Sequence, residues 1–176
     1  SEMCIRDRAE ISLCEQSMRD SEEQLARWHA DDDIVHKLDE VSGIGLLTAS
    51  ALKTAVGKPE RFASGRHLSA WLGMTPNEYS SGERRRLGCI SCKGNTYVRT
   101  LLIHGARAAL LAAKRCQTRT PERLTQLQRW ALQTAERIGH NKAAVALANK
   151  LVRICWAVWC HCLLYTSDAA DDTPCV

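Results

Sequence analysis

Apolar residues recur every three to four positions over most of this chain, which is the spacing of one face of an α-helix. The pattern predicts helices over residues 9–30, 46–56, 65–72, 96–114, 121–138 and 142–159, and a short helix after the aspartates at 31–33. Helix-starting residues such as Asn95 and Asn141, and helix-ending glycines such as Gly73 and Gly139, support these boundaries. No alternating strand pattern exceeds a few residues, so the sequence predicts a mainly α fold.

Residues 74–95, which read MTPNEYSSGERRRLGCISCKGN, interrupt the helical pattern. Pro76, Gly82, Gly88 and Gly94 exclude a long helix here. The stretch therefore predicts an ordered loop with a short extended piece near residues 87–90. Its length is unusual for a loop without a function, which marks it as a candidate functional segment.

This loop places the hydroxyls of Ser80 and Ser81 beside Gly82 and a run of basic residues. The basic residues are Arg84, Arg85 and Arg86, followed by Lys93 and Arg99. A serine flanked by guanidinium groups suits attack on a phosphodiester, because they neutralise the phosphate and stabilise added negative charge. The alternative is a basic turn that only contacts phosphates. The loop's chemistry alone favours that alternative, since serines are common in glycine-rich loops.

The segment 41–57, VSGIGLLTASALKTAVG, predicts two short helices joined by a tight turn at Gly43, Ile44 and Gly45. Glycines allow positive φ and close backbone approach, and free amides at the start of the second helix can hold a phosphate. The segment resembles the helix-hairpin-helix motif, which grips a DNA backbone without reading bases. A plain helix–helix turn containing glycine is the alternative.

Charge is unevenly distributed, with net values of −7 over residues 9–40, +9 over 41–115 and +5 over 116–161. A basic body can bind polyanions because neutralised phosphates release counterions, although charge alone also fits a solvated basic face. The most apolar run, 143–165, is interrupted by polar and charged residues, so we expect no membrane span.

Cysteine spacing gives little evidence for a metal site. Cys89 and Cys92 have the C-x2-C spacing of half a zinc or redox site, but no second ligand pair stands at a suitable distance. We therefore predict incidental thiols and no metal site. The irregular spacing of the other cysteines favours free thiols in a reducing cytoplasm over a disulfide framework.

The two ends of the chain are related at the nucleotide level. Residues 162–167 back-translate to TGTCTCTTATACACATCT, whose reverse complement contains ATGTGTATAAGAGAC, a back-translation of residues 3–7. The ends resemble the adapter of transposon-based sequencing libraries. We therefore expect residues 1–8 and 162–176 to be adapter-derived and the reading frame to be a fragment. A genuine acidic tail is the alternative.

Several longer blocks carry a family resemblance. They are, in order, SGIGLLTAS, GKPERF, LSAWLGMTPNEYSSGERRRLG, ISCKGNTYVRTLLIHGARAAL and HNKAAVALANKLVRICWAVW. Together they resemble the C-terminal domain of IS110-type transposases of bacterial insertion sequences, over about residues 40–160. The resemblance implies a helical C-terminal domain at 41–161 with a long catalytic loop. It also implies that residues 9–40 are the end of a coiled-coil arm.

The resemblance implies strand transfer through a phosphoserine–DNA intermediate. The family's serine directly before the glycine corresponds to Ser81, with Ser80 as the next candidate. An N-terminal RuvC-like domain, absent from this sequence, would supply acidic ligands for a divalent metal such as Mg²⁺. We therefore expect no cofactor in the fragment itself and no activity from the fragment alone.

The resemblance also implies partners and contacts. DNA, a bridge RNA that selects DNA sites by base pairing, and further copies of the full-length chain are the expected partners, in the bacterial cytoplasm. Nucleic-acid contacts are expected from Gly43, Ile44, Gly45, Arg84, Arg85, Arg86, Lys93, Asn95 and Arg99. Cys89 and Cys92 stand where basic residues are usual, which removes two phosphate contacts.

Two other functions are open to the same sequence. A non-catalytic helix-hairpin-helix DNA-binding module would share the turn at 43–45 and the basic body. It would tolerate loss of Ser81, whereas a recombinase would not. Tyr79 as the nucleophile of a tyrosine recombinase is disfavoured, because the arginine and histidine constellation of such enzymes is not recognisable.

Overall fold

The structure is a computed structural model that describes residues 2–82, 84 and 86–161, with the backbone alone at residues 2–6. The described chain is mainly α, as predicted, with seven helices and one small antiparallel sheet. The helices are α1 (Glu2–Trp28), α2 (Asp33–Asp39), α3 (Leu46–Val56), α4 (Gly65–Trp71), α5 (Thr96–Arg119), α6 (Gln126–Ile138) and α7 (His140–His161). The strands are β1 (Pro76–Glu78) and β2 (Leu87–Ile90), and short 3₁₀ turns lie at Pro59–Arg61 and Pro121–Arg123.

The chain divides into two compact units, one ending at Asp33 and the other beginning at Ile34. The first unit is essentially α1, which begins at Glu2 rather than near residue 9 as predicted. Its large apolar side chains include Ile11, Met18 and Trp28, which are each more than half exposed. The adapter interpretation of residues 1–8 stays a prediction, and residues 162–176 lie outside the described part of the chain.

Helix α7 lies at the centre of the second unit, where α4, α5 and α6 pack against it. Its length and composition would suffice to cross a membrane, but most of its apolar window is buried within the protein, as in a core helix. Leu147, Leu151 and Ile154 are among its buried side chains, and each such burial contributes about 1.5–3 kcal/mol. This packing gives α4 and α5 a rigid support.

Three predicted helix boundaries in the second unit were wrong. Pro121–Arg123 forms a 3₁₀ turn, and α6 begins only at Gln126, because Thr125 and Gln128 form a reciprocal capping box. Helix α7 begins at His140, so the predicted cap Asn141 lies inside it. Helix α5 continues to Arg119 rather than ending near residue 114.

The predicted loop at 74–95 is a β-hairpin. Strand β2 is the predicted extended piece, and it pairs antiparallel with β1 through Pro76↔Ile90 and Glu78↔Leu87, with an irregularity between these pairs. Strand β1 was missed because proline and asparagine are poor strand formers. The hairpin projects from the end of α4 and returns to the start of α5.

Candidate nucleic-acid and catalytic site

The hairpin base, residues 73–75 and 91–94, is packed tightly. The Cys92 amide donates to the Gly73 carbonyl over 3.2 Å, and the Ser91 amide donates to the Thr75 carbonyl over 2.9 Å. Gly73 and Gly94 both have positive φ, at 72° and 92°. A Cβ at Gly73 would overlap the backbone of Lys93, so the two chain segments touch backbone to backbone.

Arg99 holds this base together from inside. Its side chain is only 7% exposed. Nη1 donates to the Leu72 carbonyl over 3.0 Å and to the Lys93 carbonyl over 3.3 Å, and Nη2 donates to Thr96 Oγ1 over 3.2 Å. The expected phosphate contact of Arg99 therefore does not fit its place in the fold. Its guanidinium is buried and shared between two chain segments.

Two asparagines add polar support near the same base. Asn149 of α7 donates from Nδ2 to the Met74 carbonyl over 3.1 Å. Sequence reasoning missed this role, for which the only signal was a polar residue on an apolar helix. Asn95 caps α5 as predicted, accepting from the Val98 amide at Oδ1 over 3.2 Å. Its nucleic-acid contact stays a prediction, as does that of the exposed Lys93.

The hairpin tip, residues 80–86, presents the predicted nucleophile. Ser81 and Arg84 exchange two backbone hydrogen bonds of 3.3 and 3.1 Å, and Gly82 between them has a φ of 56°. Both of these bonds are made by the backbone, and no group among the described residues forms a hydrogen bond with the Ser81 hydroxyl. Ser81 is exposed, and its hydroxyl is therefore unbonded within the described part of the hairpin.

The neighbouring Ser80 is engaged by the hairpin. Its hydroxyl donates to Glu78 Oε1 over 2.7 Å and accepts from the Arg86 amide over 3.1 Å. Two adjacent serines of similar exposure thus differ in whether their oxygen is already bonded. The two candidates therefore differ in hydrogen bonding, and the assignment of Ser81 as the nucleophile stays a prediction.

Two exposed arginines lie at the tip. Arg84 and Arg86 are exposed, and neither forms an ion pair within the described residues. Arg85, the third predicted cation, lies outside the described residues. Tyr79 is exposed and its ring lies against Gly88 across the hairpin, which leaves the aromatic ring beside the tip.

The turn at residues 43–45 lies against α5. Gly43 has a φ of 95°, and a Cβ at Gly105 would overlap the Gly43 carbonyl oxygen. Ile44 is 3% exposed and its amide donates to the Val41 carbonyl over 2.8 Å, so the fold uses both its side chain and its amide. Gly45 is the N-cap residue of α3, with a φ of −103° that other residues also adopt, and no side chain caps that helix. The first-turn amides of α3 therefore keep their capacity to hold an anion.

The turn and the hairpin base use one helix as a common support. They contact α5 at Gly105 and Arg99, six residues apart, which is about 9 Å along a helix axis. Both candidate elements are therefore held by the same rigid helix, which itself packs on α7.

The described residues contain no group of three or more histidine, cysteine or acidic side chains suited to a metal ion. Cys89 and Cys92 are exposed free thiols at the hairpin. Burial raises the pKa of Cys155 in α7 to about 12, so this thiol stays protonated and unreactive near neutral pH.

Comparison with known proteins places the chain in a family. Residues 35–122 match the sequence model of the family described as Transposase IS116/IS110/IS902. A probable family 20 transposase of Pseudomonas aeruginosa is 40% identical over 149 residues, covering 85% of this chain and 42% of that protein. The transposase for insertion sequence element IS1111A of Coxiella burnetii is 37% identical over 144 residues, covering 82% of this chain and 38% of that protein.

A transposase for insertion sequence element IS1328 of Yersinia enterocolitica is 36% identical over 146 residues, covering 83% of this chain and 41% of that protein. The chain thus spans roughly two fifths of the length of these relatives. The family segment contains the turn at 43–45, α3, α4, the hairpin and α5. The chain belongs to the IS116/IS110/IS902 family of transposases.

Proposed function

We propose that this chain is the nucleophile-bearing part of a DNA transposase that moves an insertion sequence by strand exchange. Ser81 forms the phosphoserine–DNA intermediate. The observation that carries the proposal is the exposed Ser81 hydroxyl, unbonded among the described residues, at the tip of a hairpin whose base is rigid. Ser80 is the weaker candidate because its hydroxyl already donates a hydrogen bond to Glu78 and accepts one from the Arg86 amide.

The chemistry is a transesterification. Ser81 Oγ attacks the phosphorus of a phosphodiester, and its proton is lost as the new P–O bond forms. The bond to one deoxyribose oxygen breaks, and that oxygen takes up a proton to become a free hydroxyl. A hydroxyl from a second strand then attacks the phosphoserine and releases Ser81. Because ester energy is conserved in the covalent link, no external energy source is required.

The basic tip supports the charge changes of this reaction. Arg84 and Arg86 lie exposed beside Ser81, and Arg85 belongs to the same run in sequence. Guanidinium groups bind phosphate oxygens with charge-assisted hydrogen bonds and stabilise charge that develops on them. These arginines would bind the strand and position its phosphate for attack.

Other parts of the proposal concern the whole protein. A RuvC-like domain outside this chain would hold the divalent metal, which helps to activate the nucleophile or stabilise the leaving oxygen. A bridge RNA would choose the DNA sites by base pairing, and a homo-oligomer would supply several sites for two duplexes. The reaction would take place in the bacterial cytoplasm, and this chain alone would be inactive.

The test is a matched pair of serine variants in the full-length transposase with its RNA. We expect Ser81→Ala to abolish strand exchange while DNA and RNA binding stay nearly unchanged, because alanine removes the attacking oxygen but no charge. Ser80→Ala should retain exchange. Labelled DNA that stays on the protein under denaturing conditions reports the covalent link. An adduct trapped on the Ser81→Ala protein would overturn the assignment and leave Ser80 and Tyr79 as candidates.

The non-catalytic DNA-binding module is the second candidate function, favoured by the uncapped start of α3. A side chain at Gly45 meets open space, so the site tolerates substitution. Gly45→Asp would cap the helix and also repel a phosphate, whereas Gly45→Asn would cap it without the charge. Weaker DNA binding by the aspartate variant alone, at equal or higher melting temperature, supports a phosphate at α3. Retention of strand exchange by Ser81→Ala, with no covalent DNA adduct on this part of the protein, would favour a non-catalytic binding role for it within the transposase.

A further inference from the structure

Trp71 stands apart from the other tryptophans of the second unit. Its side chain is 43% exposed, and no hydrogen-bond acceptor for its indole N–H is found among the described residues. By contrast, Trp156 donates to the Pro59 carbonyl over 3.2 Å, Trp130 lies 4.7 Å from the Lys150 ammonium, and Trp159 is 8% exposed. Burial and polar partners thus account for the other three rings, whereas the outer part of Trp71 is open to solvent.

The Trp71 ring is held by a fixed neighbour. Phe62 lies 5.5 Å away, centroid to centroid, with the two rings inclined at 60°. Phe62 packs against the core, and its amide donates to the Pro59 carbonyl over 3.0 Å. Because Trp156 of α7 also donates to that carbonyl, the segment supporting Trp71 is tied to the central helix. The ring is therefore preorganised, which lowers the entropic cost of binding a flat ligand.

The surroundings of Trp71 are basic. His67 is exposed and lies four residues earlier on α4, so it shares a helix face with Trp71. Arg61 is exposed immediately before Phe62. Over residues 58–71 there are three lysines or arginines and one acidic residue, Glu60. An exposed aromatic ring in a basic segment suits stacking of a nucleic-acid base that is attached to a phosphate backbone.

Trp71 is physically joined to the hairpin. A Cβ at Gly94 would overlap the Trp71 carbonyl oxygen, and Arg99 links the next residue, Leu72, to Lys93. From Gly73 to Ser81 the chain runs eight residues, which reach at most about 26 Å when extended. A DNA strand with one phosphate at Ser81 can therefore place a base several nucleotides away on Trp71.

We propose that Trp71, supported by Phe62, is a stacking platform for an unpaired base of the DNA strand that reaches Ser81. The inference rests on the proposed function, because it assumes that the basic body binds DNA. It assigns Trp71 to strand positioning and not to the chemical step. The platform has no means of reading the base, so it binds any of the four with similar strength.

The test measures binding of a labelled single-stranded DNA and of the matching duplex to the complete 176-residue chain. Trp71→Ala should weaken single-strand binding by about 5- to 150-fold and leave the duplex affinity and the salt dependence nearly unchanged. Trp71→Phe should restore most of the loss, since it keeps an aromatic face. Trp28→Ala, an exposed tryptophan on acidic α1, is the matched control and should change nothing.

Abasic DNA separates stacking from misfolding. The unaltered chain should bind an abasic strand about as weakly as Trp71→Ala binds the normal strand, and Trp71→Ala should not distinguish the two strands. Equal loss of single-strand and duplex binding in Trp71→Ala would overturn the platform. Tighter binding of single-stranded RNA with the same dependence on Trp71 would overturn its assignment to DNA. If the unaltered chain binds no nucleic acid, the proposed function fails as well, whereas binding without any Trp71 dependence overturns only this inference.

Discussion

The base and the tip of the hairpin use the same residue types for opposite purposes. At the base, Arg99 is buried and its guanidinium joins backbone carbonyls, while at the tip Arg84 is exposed and has no ion pair among the described residues. Gly73 at the base has no room for a side chain, whereas Gly82 at the tip has open space around it. Position in the fold, and not residue type, separates a structural group from one open to a ligand.

Ser80 and Ser81 show the same contrast at adjacent positions. Ser80 Oγ closes the hairpin through Glu78 and the Arg86 amide, while Ser81 is turned into solvent by the backbone reversal at Gly82. The hydroxyl that faces back along the hairpin is used by the fold, whereas the next hydroxyl, at the turn, has no hydrogen bond among the described residues. A count of basic residues in the sequence therefore overestimates the number of groups that can contact DNA.

The largest expected effect on stability comes from a methyl group at the base. Gly73→Ala requires an unfavourable positive φ and overlaps the Lys93 backbone, so it should lower the free energy of unfolding by about 3 kcal/mol or more. Gly82→Ala meets no neighbour and should cost only about 1–2 kcal/mol for its φ. Urea unfolding of the two variants checks the difference, and equal losses would contradict the contrast between base and tip.

Removal of the buried guanidinium should have the next largest effect. Arg99→Met leaves the Leu72 and Lys93 carbonyls without their donor, which should cost about 2–3 kcal/mol. Arg107→Met, at an exposed position on the same helix, is the control and should stay within about 0.5 kcal/mol of the unaltered chain. A thermal melt that does not separate these two variants would show that Arg99 is dispensable for the fold.

A smaller loss is expected at the first of the two serines. Ser80→Ala removes two hydrogen bonds at an exposed site and should cost at most about 1 kcal/mol. Ser81→Ala should leave the unfolding free energy unchanged, because the described residues form no hydrogen bond with its side chain. Urea titrations of the two single variants measure this difference. A greater loss of stability in Ser81→Ala would indicate that its hydroxyl is also structural.

The arginines at the tip should affect binding and hardly affect stability. Replacing Arg84, Arg85 and Arg86 together by glutamine should leave the unfolding free energy within about 0.5 kcal/mol. The slope of log affinity for duplex DNA against log salt should fall by up to about 2.7, or 0.9 per lost phosphate contact. The same change at the α1 arginines 8, 19 and 27 is the control. An unchanged slope in the tip variant would show that these side chains bind no phosphate.

Local sequence signals predicted most of the helices. The bounds of α3 are those predicted from periodicity and glycines, and Asn95 and Gly139 act as the expected helix caps. Such signals succeed because helix hydrogen bonds and caps join residues a few positions apart. The start of α6 was misjudged because the capping box at Thr125 prevailed over the proline signal at Pro121.

The family also followed from sequence alone, because the order of the blocks and the SSGERRRLG stretch do not depend on tertiary structure. The nucleophile candidate was narrowed to two neighbouring serines by the same means. Only the hairpin geometry separates the bonding of Ser80 from that of Ser81.

Tertiary structure alone decided which polar residues serve the fold. The Arg99 side chain reaches a carbonyl 27 residues earlier, and Asn149 reaches one 75 residues earlier. The Gly43 carbonyl oxygen leaves no room for a side chain at residue 105, so a glycine is required there. Strands β1 and β2 have weak strand signals in the sequence, and they form by pairing with each other. These features depend on where α4, α5 and α7 bring distant chain segments together. A local pattern shows that a residue is polar, but the free energy of its hydrogen bonds depends on partners that only the folded chain supplies.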